Sequence, residues 1–195
     1  RDPKKPDLKD LHVVFVGGPV DVRAPHRAHL AHRNLLFGSL ARADPATLES
    51  KPDLAESWTT SADGKTLTVK LRAGVKWHDG RPFTADDVKF TYDKILDPKT
   101  NTGLRINLAD LQSVEAVDAR TVRFHLKQPS AAFVASLQIH PVPKHLLEGK
   151  DINTDPFIQR PVGTGPFRLK EIQPGNHVIV EANPAYYGGR PFLDR

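Results

Sequence analysis

Asp53 to Ile95 reads DLAESWTTSADGKTLTVKLRAGVKWHDGRPFTADDVKFTYDKI, and this stretch decides the fold. A short run over residues 55–60 leads into Ser61-Ala62-Asp63-Gly64, residue types that favour a turn. From Thr66 the chain alternates, with Leu67, Val69 and Leu71 on one face and Thr66, Thr68 and Lys70 on the other. Two short runs around an Asp-Gly turn predict a β-hairpin. Gly74 and Asp79-Gly80 mark further turns. Thr84 followed three residues later by Asp87 is close to a capping box, with Asp in place of the usual Glu. Asp86 and Asp87 then lie at the positive end of a helix dipole. Val88, Tyr92 and Ile95 stand at i, i+4 and i+7, one buried helical stripe. Asp97-Pro98 ends it, because a residue before proline avoids the helical region.

The same grammar recurs further along. Leu111 to Val117, the turn Asp118-Ala119-Arg120, and Thr121 to Leu126 predict a second hairpin, with Val122, Phe124 and Leu126 facing one way. A short helix is expected over residues 131–137 and another over 144–148, with Pro143 at its start. A third hairpin is expected over residues 167–172 and 177–182, around the turn Gln173-Pro174-Gly175-Asn176. On the N-terminal side, Leu11 to Val16 is a near-continuous apolar run, as in a strand covered on both faces, and Gly17-Gly18-Pro19 stops it. Residues 28–40 read as a helix, followed by a polar linker to Pro52.

Composition bounds the function classes. The chain has 195 residues, 38% of them hydrophobic and 26% charged, which suits a globular protein. No run of 18 apolar residues is present, so no membrane-spanning helix is expected. Arg1-Asp2-Pro3-Lys4-Lys5 has no apolar core of a signal peptide, and the chain contains no Met, which predicts a processed or internally cut product. With no cysteine, disulfides and thiolate metal sites are excluded. The net charge of +5 is spread among interspersed acids, aromatics are only 7%, and no nucleic-acid-binding motif occurs, so no nucleic-acid partner is expected.

Few constellations carry chemistry. His26, His29 and His32 stand three apart, but on a helix such steps drift by about 60° each, and no carboxylate lies among them. Arg23 and Arg27 offer guanidinium forks to an anionic group. Asp86 and Asp87 point about 100° apart on a helix, which favours capping over acid–base work. Ser57, Ser61 and Ser130 lack a nucleophile-elbow context. Gly163-Thr164-Gly165 lacks the Lys and the helix of a phosphate loop. Trp58 and Trp77 read as packing residues, and burial against the sheet is expected for Tyr186-Tyr187. No catalytic set, no metal site and no cofactor is predicted.

Several strings together resemble a known family. Leu54-Ala55-Glu56-Ser57-Trp58, Ser61 to Thr66, Leu71 to Gly80 and Phe83 to Val88 are similar in order and spacing to the family 5 extracellular solute-binding proteins, the peptide- and nickel-binding receptors of ABC importers. The resemblance continues through Leu36-Phe37-Gly38-Ser39-Leu40, Val117 to Leu126, Val162-Gly163-Thr164-Gly165-Pro166-Phe167 and Asn183-Pro184-Ala185-Tyr186-Tyr187. One departure stands out: Arg23-Ala24-Pro25 occupies the place where relatives often have Leu-Asp-Pro.

The resemblance implies a mixed α/β (α+β) fold, like the class II periplasmic binding proteins, with several β-hairpins and short helices. It implies a partial first lobe, with residues 1–37 and 161–195 as a sheet-forming subdomain, residues 38–160 as a smaller inserted one, and the second lobe absent. It further implies a non-enzymatic, periplasmic or extracytoplasmic receptor for peptides or similar small solutes, which docks on a membrane permease. Gly17, Gly18, Pro19, Arg23, His26 and Arg27 are the expected ligand-binding residues, since loops at strand ends build sites on such folds. A stand-alone single-lobe scaffold or metal-binding accessory protein is the alternative. The exposed joint to a second lobe is expected to leave an apolar patch through which the chain could self-associate.

Overall fold

A computed structural model of the protein describes residues 34–173 and 177–193. The strand expected over residues 11–16 and the candidate ligand loop over residues 17–27 lie outside the described residues.

Strands β1 (Ala41–Ala43) and β2 (Ser50–Pro52) form a small antiparallel ladder. β3 (Ala55–Thr60) and β4 (Thr66–Leu71) are the first hairpin, and β5 (Leu111–Asp118) and β6 (Thr121–Leu126) the second. β4 pairs with β6, so the two hairpins merge into one antiparallel sheet of order β3-β4-β6-β5. Register places Trp58, Val69, Val122 and Ala116 in one cross-strand row, and Thr60, Leu67, Phe124 and Val114 in the next. Because side chains alternate along a strand, both rows face the same side. Leu67, Val69, Leu71, Val122 and Phe124 are all 2% exposed or less.

The first hairpin turn explains one glycine. Gly64 has φ +69°, a region L side chains avoid, and a Cβ there would meet Pro129 Cβ at 2.9 Å. The Asp63 carboxylate closes the turn by accepting from Lys65 N–H at 3.0 Å.

Helix α1 (Ala85–Leu96) lies against the apolar face of the sheet and buries Val88, Tyr92 and Ile95, the expected stripe. The Tyr92 ring meets Phe124 edge-on at 4.9 Å, and Phe124 meets Phe133 at 5.6 Å. Full burial of a ring such as Phe124 contributes on the order of 2–3 kcal/mol. The Tyr92 hydroxyl donates to Ser136 O at 2.7 Å, and burial pushes its pKa up.

Thr84 and Asp87 form the capping box. Asp87 does more than cap. Its Oδ2 accepts from Thr84 N–H at 2.9 Å and from Trp77 Nε1–H at 3.3 Å, and its Oδ1 accepts from Lys144 N–H at 3.0 Å. One buried carboxylate thus ties the turn at Trp77 and the short helix α2 (Lys144–Leu147) to the start of α1. At the other end the Arg105 guanidinium donates to Ile95 O, Asp97 O and Thr100 O, satisfying carbonyls that the helix leaves open. Asp97 itself is extended, as its proline neighbour requires.

β7 (Phe167–Gln173) and β8 (His177–Ala182) form the third hairpin as a separate two-stranded ladder.

Four sequence expectations need correction. The helix expected over 28–40 stops at Leu36, and Ala41–Ala43 is a strand. The segment leaves the helix because its backbone bonds go elsewhere: Ser39 O accepts from Leu54 N–H at 2.9 Å, and Leu40 O from Asp53 N–H and Ala55 N–H at 3.1 and 3.0 Å. The expected polar linker to Pro52 contains the β1–β2 ladder. Pro143 is the N-cap of α2 and not its first helical residue, and residues 131–138 wind as a 3₁₀ turn.

Candidate functional site

The described residues that follow the candidate ligand loop in the chain, 34–40, are held by a polar joint. It is built from residues 162–166, the Trp77–Gly80 turn and the segment after β8. Gly165 N–H donates to Leu36 O at 2.9 Å, and Gly38 N–H donates to the hydroxyl of Thr164 at 3.1 Å. The two segments touch backbone to backbone. A Cβ at residue 163 would sit 1.8 Å from Leu36 O, and one at 165 would sit 2.4 Å from Leu35 O. Gly163-Thr164-Gly165 is therefore a close-approach motif, and its glycines serve packing rather than an anion.

His78 holds the outer side of the same loop. Its backbone N–H donates to Gly163 O at 2.8 Å, its Nδ1 accepts from Gly163 N–H at 3.1 Å, and its Nε2–H donates to Gly165 O at 3.1 Å. Burial holds the imidazole below its ordinary value of 6.5. The Gly165 carbonyl opposes that shift, Arg168 adds to it, and Asp79 opposes it. Gly165 O also accepts from Asn183 Nδ2–H at 3.0 Å, which fills its second lone pair. Thr164 and Asn183 are both buried, so each side-chain bond spares a desolvation penalty.

Asp53 anchors the other flank. Its Oδ2 accepts from Ser39 N–H at 3.1 Å and its Oδ1 from the Tyr187 hydroxyl at 2.6 Å. Burial first, and then the charge of Asp53, push the Tyr187 hydroxyl far up. The Arg72 guanidinium stands 5.7 Å from the Tyr187 ring centroid and donates from Nε to Asp53 O at 3.1 Å. Nearby, Asp79 accepts from His145 Nε2 at 2.6 Å. Burial raises the Asp79 carboxyl, but the bonds from His145 and from Arg81 N–H outweigh it and hold the carboxyl low.

Phe37 emerges half-buried from this joint. Its ring centroid lies 6.3 Å from that of His140 and 6.4 Å from that of Phe157. His140 Nδ1 bonds to Gly38 O at 3.1 Å. Beyond Phe157 opens a groove of about 440 Å³, lined by Leu146, Lys150, Asp155, Phe157 and Arg160 among others. The groove beside Phe157 carries Lys150 and Arg160 at its margin, with Lys150 paired to Asp155 at 3.4 Å.

Gly17, Gly18, Pro19, Arg23, His26 and Arg27 lie outside the described residues, as do His29 and His32. Among the described residues no group of three or more His, Cys, Asp or Glu side chains is placed to hold a metal ion. Trp77 is buried and hydrogen-bonded, in accord with its reading as a packing residue, and Trp58 is half-buried on the sheet. Sequence reasoning missed His78, His140 and Phe157. A histidine followed by Asp-Gly signalled only a turn, and the partners of His78 lie 85 and 87 residues away.

Comparison with known proteins fixes the family. Residues 49–195 match the family model of the bacterial extracellular solute-binding proteins, family 5 Middle. The chain is 37% identical over 198 residues to the oligopeptide-binding protein AppA of Bacillus subtilis, covering 95% of this chain and 36% of AppA. It is 42% identical over 157 residues to protein XP55 of Streptomyces lividans, covering 80% and 29%. The solved structure of B. subtilis AppA in complex with a nonapeptide superposes with a TM-score of 0.82 at 36% identity, over 86% of this chain and 34% of that one. NikZ of Campylobacter jejuni, in complex with Ni(L-His), gives 0.77 at 41% identity, over 80% and 32%.

The chain belongs to the bacterial extracellular solute-binding proteins, family 5, and has the fold of part of such a receptor. It spans about a third of the length of the relatives it matches. The family is one of transport substrate-binding proteins, and among the described residues no helix is long and apolar enough to cross a membrane.

Proposed function

We propose that this chain supplies one wall of a solute-binding cleft in an extracytoplasmic ABC-import receptor, and that the solute is a peptide or a similar small molecule with a carboxylate. In this reading residues 1–37 and 161–195 form the sheet-bearing part of a first lobe, and residues 38–160 are inserted into it. The ligand is closed in by a second lobe, which docks with the first on a membrane permease. It is bound and released, not transformed. Gly17, Gly18 and Pro19 supply backbone to the ligand, and Arg23, His26 and Arg27 supply charge. Phe37 and the groove beside Phe157 continue that wall. The single observation that carries the reading is the joint at residues 34–40, downstream of the candidate loop in the chain, which is fixed by close backbone contacts. The nonapeptide in the B. subtilis relative supports the ligand class.

The test is a chimera in which the matching third of B. subtilis AppA is replaced by this chain. The folded chimera is expected to bind peptides, and replacing both Arg23 and Arg27 by Ala is expected to weaken an acidic peptide about tenfold, the scale of one charge-assisted hydrogen bond. A folded chimera that binds no peptide contradicts the function. Unchanged affinity in the double variant contradicts the arginine assignment. A metal chelate is the second reading, favoured by the likeness to NikZ with Ni(L-His), and titration of the chimera with nickel and histidine separates the two.

A further inference from the structure

The imidazole of His78 is held between two partners of fixed character. Gly163 N–H can only donate, so Nδ1 has to present its lone pair, and Gly165 O can only accept, so Nε2 has to carry the proton. We propose that His78 is the positioning residue of this joint: it latches residues 163–165 against residues 35–38 only while its ring is uncharged, so that the joint opens on acidification.

The geometry leaves a second proton one place to go, Nδ1, where it would set N–H against the Gly163 N–H 3.1 Å away. The ring cannot back off freely, because the backbone N–H of the same residue grips Gly163 O at 2.8 Å. Nor can the loop move inward, since Gly163 and Gly165 already press on the carbonyls of Leu36 and Leu35. Among the charged groups around His78, Asp79 comes from its own turn and Arg168 from β7. Residues 162–166 and 34–40 bring no titratable side chain. Arg168 opposes a second positive charge and is itself paired with Glu181 at 2.6 Å. Asp79 favours that charge, but its carboxylate is already engaged by His145 and by Arg81 N–H.

The sign follows. Burial and Arg168 place the folded value below 6.5. The latch is therefore complete above pH 6.5 and weakens as the pH falls below it. By linkage, the opening equilibrium then grows by up to about tenfold per pH unit until the folded value is passed.

The test is amide exchange by NMR on the 195-residue chain from about pH 7.5 to about pH 5, corrected for intrinsic exchange. Protection of Gly163 and Gly165 relative to Val69 and Phe124 in the sheet is expected to fall as the pH drops below 6.5, by at most about tenfold per unit. At neutral pH the His78 ring is expected as the Nε2–H tautomer. A Nδ1–H tautomer, or a protection ratio that does not change with pH, overturns the proposal. His78→Asn keeps an acceptor near the Nδ1 position and does not titrate, so the pH dependence is expected to vanish. Its persistence in that variant assigns the effect to another group and also overturns the proposal. Should the variant not fold, the tautomer and protection ratio of the unaltered chain decide. No ligand is needed, so this outcome is separate from that of the chimera.

Discussion

The sheet with its helix and the joint at residues 34–40 differ in what locks them, although Leu40 of the joint is buried in the same apolar core. In the sheet, apolar side chains from neighbouring hairpins meet across a ladder, and each local run already contains its own turn or cap. At the joint, backbone meets backbone, two glycines make room, and the side chains that matter are polar: His78, Thr164, Asn183 and Asp53. Apolar packing tolerates modest change with graded cost. A lock of directional bonds has few intermediate positions.

Substitutions should separate the two regions. The largest effect is expected for Phe124→Ala, which removes a fully buried ring touching both Tyr92 and Phe133. A loss of about 4 kcal/mol, read from the urea midpoint, is the typical cost of such a cavity. Gly163→Ala comes next, at about 3 kcal/mol, because its methyl has to displace backbone and not a flexible side chain. The comparison sharpens if Gly163→Ala loosens the joint while the sheet keeps its protection, and it breaks if both melt together. The smallest effect runs the other way. Leu48 sits at φ +60° and is 79% exposed, so it bears left-handed strain without packing in return. Leu48→Gly is expected to raise stability by about 0.5 kcal/mol, measured as a small rise in melting temperature.

This division also explains what could be read in the sequence. The alternation of Leu67, Val69 and Leu71, the stripe of Val88, Tyr92 and Ile95, and the Thr84–Asp87 cap are short-range patterns, and the structure has them where the sequence placed them. The joint is long-range. Gly38 and Thr164 are 126 residues apart, and Asp53 and Tyr187 are 134 apart. Asp53 opens the hairpin stretch and His78 lies in a turn, and no local pattern announces a partner at that distance. The helix expected over 28–40 overextends for the same reason: Phe37 and Leu40 prolong an apolar rhythm, while the backbone of Leu36, Gly38, Ser39 and Leu40 is claimed by residues 53–55 and 164–165. The cap was legible, but the further work of Asp87 on Trp77 and Lys144 was not, because it depends on where α2 lands. The candidate ligand residues of the 17–27 loop rest on resemblance and lie outside the described residues.

Native-state hydrogen exchange in low urea at neutral pH is the most direct test of two separately held regions. The amides of Leu67, Val69 and Phe124 are expected to exchange through a urea-dependent, global opening. Those of Gly163 and Gly165 are expected to exchange through a smaller opening that urea hardly affects. A single merged set of opening energies for all five amides would contradict the account, since the joint would then have no opening of its own.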